Sequence, residues 1–217
     1  MQLGYYPLPD LIRTKIQRTP VPPNHIARPH LFERLSLIHT TKLILVSAPA
    51  GFGKSSIISA WVQQCEQAVA WLALDASDND PARFWSYLLA ALQSAGVNLT
   101  DGVYQTLGTG SEEVATVLIN ELMNRAEPLT IVLDDYHLIT GRSIHNALGL
   151  LLDHMPESVT LIIVTRADPP FPLGRLRARG QMVELRAADL RFTADEVTTF
   201  LHTMMKLTLN IDDIACL

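Results

Sequence analysis

The chain predicts an α/β fold in three layers, a mostly parallel sheet with helices on both faces. Short apolar runs rich in branched residues alternate with stretches of helical periodicity, as they do when buried parallel strands are joined by crossover helices. Two of these runs end in polar signals. Ser47 opens a small-residue turn, and Leu133 is followed by Asp134 and Asp135. Crossover connections bring the carboxyl ends of all such strands to one edge, so the two signals belong together in space.

Each element follows from local chemistry. Residues 1–30 carry Pro20, Pro22, Pro23 and Pro29 with basic residues between them, and they read as an extended arm lying on the domain surface. Residues 31–38 suit a short helix, and 43–46 are a buried strand. Ile57, Ile58, Trp61 and Val62 then recur at helical spacing in a helix running to about Cys65. A strand is expected over 69–74, and a helix over 81–95 with Pro81 at the favoured first turn. The polar stretch "GVNLTDGVYQTLGTGSEE" reads as a loop before a helix over 112–125. Strands at 129–133 and 159–165 flank one more helix. No repeat or low-complexity tract interrupts the pattern.

The turn after the first strand, Ala48-Pro49-Ala50-Gly51-Phe52-Gly53-Lys54-Ser55, reads A-x-x-x-x-G-K-S, a P-loop with alanine where the usual pattern has glycine. A strand ending in such a turn and opening a helix aims unpaired N–H groups and the positive end of the helix dipole at one point, which suits a phosphate. Gly51 and Gly53 let the backbone approach without a Cβ, Lys54 reaches the β- and γ-phosphates, and Ser55 joins a magnesium shell. Ala50, Phe52 and Ser56 complete the cofactor-binding set. An ordinary strand-to-helix turn would not need G-K-S.

Asp134, at the end of its strand, is placed to hold magnesium with Ser55, and Asp135 to orient or deprotonate an attacking water. Two aspartates opening a surface turn are the plainer alternative. In "VTLIIVTRADPP" the strand runs into Arg166, which can reach a γ-phosphate and report its loss, or else pair with a nearby carboxylate. Lys54, Asp135 and Arg166 are thus the catalytic candidates. Arg175, Arg177, Arg179, Arg186 and Arg191 form a basic stretch better read as a solvated or acid-paired face than as a nucleic-acid surface.

Composition narrows the classes. Hydrophobic residues make up 48% of the 217-residue chain, enough for a substantial core, and a net charge of −5 argues against strong nucleic-acid binding. The apolar runs are too short to cross a bilayer and the N-terminus lacks a signal-peptide core, which points to a cytoplasmic protein with no membrane contact. Cys65 and Cys216, the two cysteines, have no metal-binding spacing.

Six blocks in order, "TKIQRTPVPPNHIARPHLFERL", "LILVSAPAGFGKSSIISAW", "VAWLALDASDNDPARFWSYLLAALQ", "LTIVLDDYHLI", "LIIVTRADPP" and "QMVELRAADLRFTADEVTTFL", resemble the N-terminal ATPase module of MalT-like, large ATP-binding LuxR-family transcriptional regulators. These belong to the signal-transduction (STAND) P-loop ATPases. The resemblance covers residues 11–209 and implies an ASCE-type sheet in which one strand separates the Asp-bearing strand from the P-loop strand. It matches Lys54 and Ser55 to the Walker A positions, Asp134 and Asp135 to the Walker B pair, and Arg166 to a sensor arginine. It sets Arg28-Pro29 near the adenine. Within the third block Phe84, Trp85 and Leu88 are read as packing. The domain is then 31–209, with 210–217 starting a further helical segment. The implied cofactors are ATP or ADP with Mg2+, and the implied role is a slowly hydrolysing nucleotide switch. In the full regulator, self-association, an inducer and DNA contact would involve further domains, so no DNA binding is expected of this chain alone. A stand-alone P-loop ATPase coupling turnover to work or phosphoryl transfer is the alternative.

Overall fold

The computed structural model describes residues 11–22, 25–36 and 41–204. Five parallel strands, β1 (Leu43–Ser47), β2 (Ala68–Ala73), β3 (Leu129–Asp134), β4 (Val159–Thr165) and β5 (Met182–Arg186), form one sheet in the order β2-β3-β4-β1-β5. The P-loop strand β1 and the aspartate strand β3 are thus separated by β4, as the resemblance implies. Every residue of β1, β3 and β4 is buried, which is why these strands read as nearly continuous apolar runs, broken in β3 and β4 by Thr130 and Thr160, rather than alternating ones.

Alternation survives in which face each residue serves. Leu43 and Leu45 join a core shared with α3 (Pro81–Ser94), α5 (Ser111–Met123) and α6 (Arg142–His154), whereas Ile44 and Val46 pack with α1 (Pro29–Leu35) and α2 (Lys54–Val62). The three-layer α/β prediction therefore holds. Phe84, Trp85 and Leu88 sit in the first core as packing residues, Phe84 and Trp85 edge to face at 5.4 Å.

The short elements are α4 (Asp101–Gln105), α7 (Leu173–Ala178) and α8 (Ala187–Leu190), and α9 (Ala194–Met204) ends the described chain. Four features differ from the expectations. α4 forms inside the stretch read as loop, because Val103 and Tyr104 find burial there. β5 went unseen: it lies at the sheet edge with Glu184 and Arg186 among its five residues, so it lacks an apolar run. α1 starts two residues earlier than the 31–38 expectation, with Pro29 in its first turn, and positions 37 and 38 lie outside the described residues, as does 210–217.

The opening segment is the fourth. It is not uniformly extended: a single 3-10 turn (Arg13–Ile16) inserts Lys15 against β2 and α3. Lys15 Nζ lies 2.9 Å from Asp75 and also bonds fully buried Asp78, which Arg83 approaches from the other side. The block "DASDND" is thereby explained as bracing. Asp75 caps a 3-10 turn (Ala76–Asn79), Asp78 receives Lys15, and Asp80 caps α3 through the N–H of Arg83.

Candidate functional site

The turn between β1 and α2 has the conformation that its glycines allow. Gly51 and Gly53 take φ of 85° and 70°, left-handed values, and a Cβ at either would meet nothing within 4 Å. Gly53 is the N-cap of α2, with no side-chain cap, so the first N–H groups of the helix face the turn. Ala50 and Gly51 are exposed, and Phe52 and Ser56 are half-buried. Lys54 is buried, its Nζ donating to the carbonyl of Pro49 at 2.9 Å, so the ammonium is folded over its own loop.

The sheet register brings the other signals beside this turn. Ser47 at the end of β1 pairs with Thr165 at the end of β4, so Arg166 follows directly on the neighbouring strand, and β3 lies on β4's far side. Ser55 Oγ donates to Asp134 Oδ1 at 2.8 Å across that edge. Two hard oxygen donors from separate elements thus converge. Among the described residues no group of three or more His, Cys, Asp or Glu could hold a metal ion. Two protein oxygens completed by phosphate oxygens and water are what magnesium takes in nucleotide sites, so the pair fits this ion.

Burial pushes the Asp134 carboxyl up, and the neighbouring Asp135 pushes the same way, opposed by the bonds from Ser55 and from the Asp135 N–H. Lys54 is lowered, chiefly by burial and then by Arg166, while Asp135 and Asp134 pull it back. These shifts describe one electrostatic cluster. Arg166 is exposed and, among the described residues, no carboxylate forms an ion pair with it, so the plainer salt-bridge reading finds no partner. Asp135 is the single non-glycine residue with positive φ among those described, at 57°, and its side chain is 47% exposed at the mouth of the site.

One residue of the cluster escaped the sequence reading although its stretch was quoted. His137 follows Asp135 on a 3-10 turn (Tyr136–Leu138), and its Nδ1 lies 3.8 Å from Asp135 Oδ1. Its imidazole is lowered by burial first, then by Arg166 and Lys54, against the pull of Asp135.

Next to the P-loop lies a cavity of about 280 Å³ lined by His25, Ile26, Arg28, Phe52, Ser56 and Phe192, among others. Arg28 and Pro29 are placed differently with respect to this cavity. Arg28 reaches the cavity, but its guanidinium is committed to Glu196 (3.0 Å) and to the carbonyls of Leu190 (3.0 Å) and Arg191 (2.7 Å). Pro29 is not among the lining residues and serves as the start of α1. The arm is therefore tied to α9 across this cavity. His25, Ile26 and Phe192 carried no pattern that marks them in sequence. In the basic stretch, Arg175 pairs with Asp153, Arg177 with Glu184 and Arg186 with both Asp168 and Glu184, the acid-paired reading.

No family model matches the chain. The "HTH-type transcriptional regulator MalT" of Yersinia enterocolitica is 35% identical over 207 residues, 94% of this chain, and that of Serratia proteamaculans 37% identical over 194 residues, 88% of this chain. The chain is a homologue of the N-terminal part of the MalT regulators. It spans 23% and 21% of those two relatives' lengths. Among solved structures, a signal transduction ATPase with numerous domains (STAND) from Pyrococcus horikoshii, carrying a tetratricopeptide repeat sensor, aligns with TM-score 0.55 and 14% identity over 93% of this chain and 28% of its own. A Walker-type ATPase of Pyrococcus abyssi aligns with TM-score 0.56 and 15% identity over 87% of this chain and 61% of its own. At such identities the likeness establishes the P-loop NTPase fold, which this MalT homologue therefore has. None of its described helices is long and apolar enough to cross a membrane.

Proposed function

We propose that this MalT homologue is a nucleotide switch module that binds ATP or ADP with Mg2+ and hydrolyses ATP slowly to ADP and phosphate. The observation that carries the reading is the Ser55–Asp134 bond of 2.8 Å, which joins the P-loop helix to the aspartate strand with Lys54 beside it. The left-handed turn and the start of α2 offer backbone N–H groups to the phosphates, and Lys54 swings from Pro49 to the β- and γ-phosphates. Ser55 and Asp134 hold the metal, which when bound neutralises charge on the phosphate oxygens. The cavity beside Phe52 and Phe192 takes the adenine, with Arg28 shaping its wall.

In hydrolysis a water oxygen bonds to the γ-phosphorus as the bond to the bridging oxygen breaks. Asp135, at the open mouth of the site, orients that water and takes its proton, and ADP leaves with the bridging oxygen. Arg166, on the adjoining strand, contacts the γ-phosphate and loses that contact when phosphate departs. Transcriptional regulation is named for the longer relatives. For this chain we assign the nucleotide step, with self-association and inducer sensing belonging to the longer regulator of which it is a homologue, in the cytoplasm.

Asp135→Asn tests the assignment, because a water-activating carboxylate acts mainly in the transition state. ATP affinity is expected to stay within about threefold while single-turnover hydrolysis slows roughly a hundredfold. Lost binding with normal residual turnover would reverse the roles of the two aspartates.

A further inference from the structure

The helices on the α3 face of the sheet hold two polar atoms that the proposed nucleotide chemistry does not use. Trp85 Nε1 and Ser111 Oγ are buried without a hydrogen-bond partner. Trp85 is 1% exposed and Ser111 6%, so neither is satisfied by bulk solvent. Buried polar groups are normally paired, because a stranded one has lost its hydration with nothing in return. Both residues line one cavity of about 330 Å³. It shares no lining residue with the cavity beside the P-loop.

Three helices begin at this cavity. Pro81 and Ala82 open α3, Gly110 and Ser111 open α5, and Ser143 lies in the first turn of α6. Asp80 caps α3, whereas α5 and α6 start from Gly110 and Gly141 with no side-chain cap. Helix starts carry unpaired N–H groups and the positive end of the dipole, and an indole nitrogen can only donate. The wall is thus rich in donors, and its complement is an acceptor.

Charge decides which acceptor. Among the described residues lining the cavity there is no Lys, Arg or His, while Asp80 is one of them and the Glu113 carboxylate folds back over Gly110. An anion here would meet two carboxylates and no cation to offset its desolvation, a cost that helix starts alone do not repay. Pro81, Leu107 and Val114 make the rest of the wall apolar, so water in it finds few partners and is displaced favourably by an apolar group. The volume lies at the low end of the roughly 300–1,000 Å³ of small-molecule sites.

We propose that this cavity is a second ligand site, taking a small uncharged molecule with an apolar body and a carbonyl oxygen that accepts from Trp85 Nε1–H and Ser111 Oγ–H.

The test titrates cyclohexanone, cyclohexanecarboxylate and cyclohexylammonium into the nitrogen-15-labelled chain and follows the indole N–H signals by NMR. The chain has three tryptophans, Trp61, Trp71 and Trp85, and the Trp85 signal is the one that remains once Trp61→Phe and Trp71→Phe have accounted for the others. Cyclohexanone is expected to move the Trp85 signal downfield and saturably, with a Kd on the order of 1 mM for so small a ligand. Trp71, whose Nε1 is also unpaired, should not respond. The two charged probes should bind roughly tenfold more weakly or not at all. Ser111→Ala removes a stranded hydroxyl, so its Tm should be unchanged or raised, while cyclohexanone binds about fivefold more weakly for want of one hydrogen bond. Ser143→Leu, at an exposed position on the rim, should also weaken binding by filling the entrance. A Trp85 signal that never shifts saturably would mean that the cavity holds water only and would overturn the proposal. Preference for either charged probe, a shift shared equally by Trp71, or unchanged affinity in Ser111→Ala would overturn it as well.

Discussion

Lys54, Ser55, Asp134 and Asp135 are legible as candidates in the letters because the chemistry proposed for them is tied to fixed local spacing: G-K-S at a strand-to-helix turn, and a carboxylate pair closing a strand. Arg166 is a candidate on a weaker argument, its place one residue past a strand. In the fold it lies close enough to Lys54 and His137 to depress both. In the proposed sensor role it would contact only the triphosphate, so Arg166→Ala should lower ATP affinity roughly tenfold while leaving ADP affinity within about twofold, as expected for loss of one charge-assisted contact. Equal loss for both nucleotides in paired titrations would assign it a structural place instead. Asp134→Asn should remove most of the dependence of ATP affinity on Mg2+, since the amide is a poorer ligand for a hard cation. His25, Ile26 and Phe192 were illegible for a physical reason: they meet at the cavity only through tertiary folding, one group from the arm and the other from the chain after α8.

At the scale of elements, the central strands were legible because burial on both faces leaves continuous apolar runs, and the long helices because their apolar stripes recur. β5 was hidden by its mixed edge composition and α4 by its polar, glycine-bearing context. The tie between the arm and α9 was invisible too, since Arg28 and Glu196 lie far apart in sequence and meet with side chains only 5% and 10% exposed. Removing one partner of a buried pair strands the other charge, so Glu196→Gln should cost about 3 kcal/mol. That corresponds to a fall in Tm on the order of 10 °C for a chain of this size. Burial raises Glu196, but the bonds from Arg28 and the Thr193 N–H outweigh it and hold the carboxyl below its usual range. A depressed carboxyl stabilises fully above its unfolded value of about 4.3, and that contribution is lost as pH falls through the folded value. Thermal unfolding at pH 7 and below pH 4 should therefore show the two proteins converging in acid. An undiminished gap in acid, or none at pH 7, would mean that the pair does not support α9.

For the whole molecule, the order β2-β3-β4-β1-β5 makes the function legible, because it sets the ends of β1, β4 and β3 in a row and so turns three separated motifs into one site. With a net charge of −5 and its basic stretch largely engaged by Asp153, Asp168 and Glu184, the chain should show no sequence-specific DNA binding at physiological salt. In an anisotropy titration any affinity should be weaker than about 10⁻⁶ M and indifferent to sequence, whether or not ATP is present. Discrimination between duplexes by about a hundredfold would place recognition in this module. The central claim, that the P-loop is a working nucleotide site, is met most directly by calorimetric titration of ATP and of ADP, with Mg2+, into the chain and into folded Lys54→Ala. One saturable site for each nucleotide is expected, weakened in the variant by about 1–3 kcal/mol, the worth of a charge-assisted phosphate contact. Absence of saturable binding to the unaltered chain, or equal affinity in the variant, would contradict it.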